Sequence, residues 1–243
     1  ARTLQAGLLP PRLPEPRGLE LAARYRAQGE GLDVGGDFYD VFRDGEDWVL
    51  VVGDVCGKGP EAAALTAEAR WTIRALATTA RPPDELLRAV NRALIGRREG
   101  FAFVTAVIAR VRPGPDGARV VCGRAGHPRP FVVRADGDVE PVTAQGGLLG
   151  VLESVRFRPS RVHLRPGDAL VIVTDGVTEA RNGARELGPD GLADALAGLA
   201  GAGAREIARR VEDVAGAFSD GPLRDDLAVV VARARPGDGA RAA

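Results

Sequence analysis

Aspartates stand where the apolar strands of this chain stop. Asp54 follows the run Trp48 to Val52, Asp175 follows Ala169 to Val173, and the adjacent Asp225 and Asp226 immediately precede Leu227 to Val231. Asp37, in Gly35-Gly-Asp-Phe-Tyr-Asp40, reaches the same end as Asp54 if the two strands that follow it form a hairpin. A buried carboxylate is costly unless it is hydrogen-bonded, protonated or metal-bound, so several at the ends of buried strands call for a shared compensating charge. Together they predict a cage for hard divalent cations, and metal-assisted hydrolysis is the chemistry it suits. Asp44, Asp116, Asp136 and Asp190, by contrast, sit in ordinary turn contexts.

Other chemistries find less support. Gly53-Asp-Val-Cys-Gly-Lys-Gly59 follows a strand and precedes a helix as a phosphate loop does, but its first glycine is one residue too close to Gly57-Lys58. Gly59 also replaces the Ser or Thr that would hold magnesium. The three serines, Ser154, Ser160 and Ser219, lie in no nucleophile elbow. Cys56 is a poor nucleophile beside Asp54, because a neighbouring carboxylate raises a thiol's pKa, and it reads as a small packing residue. Two cysteines and two histidines make a four-ligand zinc site a weak choice. His127, in Ala125-Gly-His-Pro128, reads first as a residue fixing that turn and second as a proton donor.

The elements that must position the aspartates follow from periodicity and turn residues. Leu19 to Arg26 reads as a strand; Asp37 to Phe42 and Trp48 to Val52 flank a turn with Asp44-Gly45 at its tip. Helices are predicted over 60–79 and 83–95, each with proline in its first turn. Short strands follow at 103–111, 119–123, 131–134, 155–164 and 168–173, then helices at 189–199 and 204–218 and a last strand at 227–232. Paired helices inserted between hairpin-connected strands favour an antiparallel sandwich with helices outside.

Lys plus Arg and Asp plus Glu number 33 each, so no global basic field exists to hold a nucleic acid or an anionic membrane. No apolar run approaches the ~20 residues of a membrane span, and the expectation is a soluble, cytoplasmic protein. The chain starts at Ala1 and contains no Met, which reads as a piece of a longer protein. Leu4, Leu8 and Leu9, spaced as in a helix that stops at Pro10-Pro11, suggest the last turns of a connecting helix and a homodimer contact in the intact protein.

The ordered motifs Gly35 to Asp40, Gly53 to Gly59, Ala125 to Pro128, Thr174-Asp-Gly-Val-Thr-Glu179 and Arg224-Asp-Asp-Leu227 resemble the SpoIIE/RsbU-type branch of the metal-dependent PPM Ser/Thr phosphatases. The resemblance spans Leu4 to Val231. It implies an α+β fold, an α-β-β-α sandwich of two mainly antiparallel sheets flanked by pairs of antiparallel helices. It divides the chain into a linker helix end with a Pro-rich connection (1–16), a phosphatase domain (17–233) and a disordered tail (234–243). It also implies two Mn²⁺ or Mg²⁺ ions. Carried over by motif, Asp54 bridges both ions, the Val55 carbonyl and Asp37 serve the first, and Asp175 and Asp225 complete the second. Asp226 stands behind them or helps bind a third ion, and Gly36, Gly53 and Gly176 keep space that side chains would block. Cys56 departs from the eukaryotic-type pattern, which has histidine there.

The resemblance implies hydrolysis of phosphoserine or phosphothreonine on a protein, by in-line attack of a metal-activated water without a phosphoenzyme. It implies as substrate a phosphorylated anti-anti-sigma (STAS) protein in a partner-switching pathway that frees a sigma factor, with an upstream sensor domain. Two alternatives stay open: a low-activity metal-binding signalling module that docks a partner, and a hydrolase of small phosphoesters using the same cage. The predicted helix from Pro60 adjoins the metal motif, so a tilt of it would move Asp54 and Val55 as a switch.

Overall fold

The computed structural model describes residues 9–28, 35–79, 82–95 and 103–236. The helical turns expected through Leu4 and Leu8 lie outside the described residues, as does the tail beyond 236.

In chain order the elements are β1 (Leu19–Arg26), β2 (Phe38–Asp44), β3 (Asp47–Val55), α1 (Pro60–Ala77), α2 (Pro83–Leu94), β4 (Val104–Gly114), β5 (Gly117–Ala125), β6 (Phe131–Val133) and β7 (Val139–Pro141). There follow β8 (Ser160–Leu164), β9 (Ala169–Val173), α3 (Asp175–Thr178), β10 (Arg181–Asn182), β11 (Arg185–Glu186), α4 (Gly188–Ala197), α5 (Ala204–Phe218) and β12 (Leu227–Ala234). One sheet has the order β1-β12-β9-β6-β7 and the other β2-β3-β4-β5-β8, with β10 and β11 as a separate small hairpin. All neighbouring strands in the two large sheets pair antiparallel.

The central strands β3, β4, β9 and β12 are apolar on both faces, and the two-residue period assigns each face to a different core. In β3, Val49 and Val51 pack toward α1 and α2, whereas Leu50 and Val52 pack toward the other sheet. In β12, Val229 and Val231 meet α4 and α5, and Val230 and Ala232 join the core between the sheets. The helices return one stripe each: Leu65, Ala69 and Ile73 of α1 with Leu86, Leu87 and Val90 of α2 on one side, Leu192 and Leu196 of α4 with Ile207 and Val211 of α5 on the other. The result is the helix, sheet, sheet, helix layering expected from the sequence.

The differences are local. The strand expected from Val155 begins only at Ser160, because Pro159 has no amide to give the ladder and Phe157 packs instead into the core beside α1 and α2. Residues 9–16 form no helix, and Leu13 packs against the inter-sheet core. The strand expected to end at Ala232 runs on to Ala234, pairing with Leu19, so it uses the first residue assigned to the tail. The short α3 and the strands β7, β10 and β11 were not foreseen, being too brief to show a period.

One buried ion cluster ties α1 to the strand that begins beside Asp37. Asp40 of β2, 1% exposed, accepts from Arg70 Nε at 3.1 Å and from Arg74 at 2.9 Å. Its other oxygen accepts from its neighbour's amide, Val41 N, at 2.9 Å. Removing one partner of a buried pair leaves the other's charge poorly compensated. Asp40→Ala is expected to cost about 3–5 kcal/mol in urea unfolding, whereas Asp116→Ala, at an exposed turn, stays within ~0.5 kcal/mol.

Candidate metal centre

The antiparallel registers bring the aspartates to one end of both sheets. Phe38 pairs with Gly53, so Asp37, just before β2, lies across the hairpin from Asp54, near the end of β3. In the other sheet Val173 pairs with Val229, which sets Thr174 and Asp175 beside the start of β12 and the Asp225-Asp226 pair. Asp37, Asp54 and Asp175 each offer a carboxylate oxygen within 4.8 Å of the others.

Neighbouring groups hold this trio in place. Thr174 occupies the N-cap position of α3 yet makes no cap; its hydroxyl donates to Asp37 Oδ2 at 2.6 Å and accepts from Ala228 N at 2.8 Å. The Gly36 carbonyl accepts from Val55 N at 3.2 Å and from the Thr66 hydroxyl of α1 at 3.3 Å. A Cβ on Gly36 would stand 2.2 Å from the Val55 carbonyl oxygen and 2.7 Å from Asp54 Oδ1. The missing side chain thus leaves room around two of the oxygens assigned to metal. Gly176 serves differently, since a Cβ there would meet the Asp226 carbonyl oxygen at 1.8 Å. Gly53 makes way for the Phe38 ring and the Thr105 carbonyl rather than for a metal.

The electrostatics are those of a cage short of positive charge. Burial, then the Asp54 charge, raises Asp37 well above the usual carboxylate range, against the opposing Thr174 hydrogen bond. Burial, then Asp175, Asp225 and Asp226, pushes Asp54 up to about 7. Burial and Glu179 push Asp175 up to about 6. Carboxylates that are buried or partly buried and repel one another, with a glycine cradle at the backbone carbonyl beside them, fit a hard divalent cation.

Two predicted residues stand apart from the trio. Asp225, about half exposed, pairs with Lys58 Nζ at 3.5 Å, although its charge reaches both Asp54 and Asp175. Asp226 is 4% exposed and accepts from Gln28 N at 2.7 Å and Tyr25 Oη at 3.2 Å. Lys58 also hydrogen-bonds the Gln28 side-chain carbonyl, so the single lysine and the end of β1 form a clasp around the aspartate pair.

The alternative nucleophile and acid are also placed. Cys56 is exposed, not packed as the sequence suggested, because the chain turns away from the sheet directly after Val55. His127 is 1% exposed, its Nδ1 lies 2.7 Å from the Thr105 hydroxyl, and burial pushes its pKa down to about 3. A neutral imidazole there has no acidic proton to give at neutral pH, which favours the structural role. Thr174 and Glu179 lie within a motif that gave them no role, and Thr66, Tyr25 and Gln28 were not expected at the site. Thr174 carried a signal, being the hydroxyl next to a cage residue; the others come from distant segments and had none.

Several known proteins are similar to this chain. The family model described as Stage II sporulation protein E (SpoIIE) matches residues 44–235. Phosphoserine phosphatase RsbU of Bacillus subtilis (strain 168) is 27% identical over 236 residues, covering 96% of this chain and 68% of that one. The crystal structure of the RsbU and RsbW domains of Rv1364c from Mycobacterium tuberculosis superposes with a TM-score of 0.75 at 31% identity, covering 91% of this chain and 61% of that one. The PP2C phosphatase domain of SpoIIE from Bacillus subtilis, solved with a fragment of its regulatory domain, gives a TM-score of 0.77 at 21% identity, with 90% and 63% covered. The chain therefore spans about two thirds of its RsbU relative and somewhat less of the two solved chains. With the match running across most of its length and Asp54, Asp175 and Asp225 inside it, this chain belongs to the SpoIIE family.

Proposed function

We propose that this chain hydrolyses phosphoserine or phosphothreonine on a regulatory protein, using two divalent cations, Mn²⁺ or Mg²⁺. The observation that carries the reading is the meeting of Asp37, Asp54 and Asp175, drawn from two sheets, in a member of this family. Asp54 would serve both ions, Asp37 and the Val55 carbonyl the first, and Asp175 and Asp225 the second, with Asp226 held behind them by Tyr25 and Gln28. These residues would hold cations whose contribution would be to neutralise phosphoryl oxygens and make water easier to deprotonate.

The chain's own part is to bind and orient. Thr174 fixes the Asp37 carboxylate, and Gly36 leaves the approach to Val55 and Asp54 open. The Thr174 hydroxyl is committed to Asp37 and Ala228, so it is not positioned as a nucleophile. Water supplies the new oxygen on phosphorus, the bond from phosphorus to the serine or threonine oxygen breaks, and the products are the free hydroxyl side chain and inorganic phosphate.

The substrate in this reading is a phosphorylated STAS-type protein of a partner-switching pathway that governs a sigma factor. The pairing of RsbU and RsbW domains in the mycobacterial relative supports such a regulatory setting. An upstream sensor domain in the intact protein and a cytoplasmic location belong to the same proposal. No helix among the described residues is long and apolar enough to cross a membrane. One observation favours the second reading, a low-activity metal-binding module awaiting its sensor: Asp225 sits on Lys58 rather than with the other three aspartates.

Phosphate release from a phosphorylated STAS protein with Mn²⁺ tests the first reading. Asp54→Asn and Asp175→Asn are expected to lower it on the order of a hundredfold or more, because a bound cation contributes several kcal/mol of charge stabilisation. Metal binding by calorimetry without any release would instead support the second reading. The pKa shifts make a separate prediction for the metal-free protein. A carboxyl raised to about 7 in the folded state holds its proton where the unfolded chain has lost it, so ionisation lowers stability as pH rises. In chelator, Asp54→Asn should raise the melting temperature above wild type by a margin that grows from about pH 4 to about pH 7. A margin independent of pH would contradict the assigned burial and repulsion.

A further inference from the structure

A cleft of about 520 Å³ opens beside the candidate metal centre, lined by Asp175 and Glu179 and also by Arg124 and Arg129. Neither arginine has a carboxylate partner among the described residues. Arg124 Nε donates to the Ala144 carbonyl and Nη1 to the His127 carbonyl, both at 2.8 Å, so main-chain oxygens fix its position without neutralising it. Arg129 is exposed and close enough to Arg124 for their charges to repel. Asp190 borders the same cleft without pairing with either.

The backbone beneath Arg129 is stiff. Pro128 and Pro130 flank it, and a following proline confines it to extended conformations, so little ordering cost attaches to presenting its side chain. Pro128 and Phe131 add apolar wall beside the two cations. A cleft with some apolar wall and two arginines free of carboxylate partners among the described residues suits a polypeptide that brings an acidic group to those arginines. Any chain whose phosphorylated residue reached Asp175 would leave its flanking residues next to this cleft.

We propose that the cleft is a substrate subsite that receives an acidic side chain flanking the phosphorylated residue, with Arg129 as its main contact and Arg124 as its support. The proposal rests on the phosphatase reading and adds to it a preference for phosphoproteins with Asp or Glu near the modified position. Arg129 acts on which substrate binds, not on the bond that breaks.

A set of phosphoserine peptides that differ only in carrying Asp, Asn or Lys at each flanking position separates the possibilities. Wild type with Mn²⁺ should favour the Asp peptide at one position by about tenfold in kcat/KM, the size of one partly desolvated charge contact, with the gain in KM. Arg129→Glu should reverse the order at that same position, and Arg129→Lys should largely keep it. Equal turnover of all peptides by wild type would overturn the subsite while leaving the phosphatase reading intact. An equal loss on every peptide in Arg129→Glu would also overturn it, by assigning the arginine to the phosphoryl group. No turnover of any peptide or of an aryl phosphate would instead count against the phosphatase reading itself.

Discussion

Repulsion among carboxylates withdrawn from water, Asp37 buried and Asp54 and Asp175 partly so, is the constraint around which this molecule is arranged. Asp37, Asp54 and Asp175 each lose solvation and each face at least one like charge, so all are displaced toward the neutral form. Such a group of acids is unfavourable as packing alone, and a fold that assembles it must hold it with other interactions. The two sheets do this with wide apolar burial on three layers, leaving the strand ends free to carry charge that the strand interiors would not tolerate.

A second layer of polar contacts converts proximity into orientation. Thr174 gives up capping its own helix to bind Asp37, a local loss offset by fixing a residue 137 positions away. Thr66 reaches from α1 to the Gly36 carbonyl, and Arg70 and Arg74 of the same helix grip Asp40. Helix α1 is therefore fastened at two points to the segment that carries Asp37, which supplies a physical route from the helix to the cage. Glu20 makes a comparable tie in the other sheet, accepting from Ala204 N at the start of α5 at 3.1 Å and pairing with Arg233 at 3.5 Å.

Charge is distributed unevenly around the site even though the chain as a whole is neutral. Lys58 and Gln28 close over Asp225 and Asp226 at one side, whereas Arg124 and Arg129 stand beyond Asp175 at another. Under the proposed function, a phosphoprotein approaching the cage would meet both signs there, a local pattern that the net charge does not express.

By itself the sequence determined the strands and helices with long periods, the hairpin at Gly45 and the placing of aspartates at strand ends, because local chain geometry and hydrophobic spacing are written in consecutive residues. It also carried motifs that resemble the family's, and these singled out Asp37, Asp54 and Asp175, which the fold brings together. Only the tertiary structure decided that Asp225 lies on Lys58, that Cys56 faces solvent and that His127 is buried and neutral. The same holds for Thr66, Tyr25 and Gln28 as supports and for two arginines left without carboxylates beside Asp175. Burial and partner choice depend on segments far apart in the chain, and a carboxylate's neighbours in space leave no periodic trace in its neighbours in sequence.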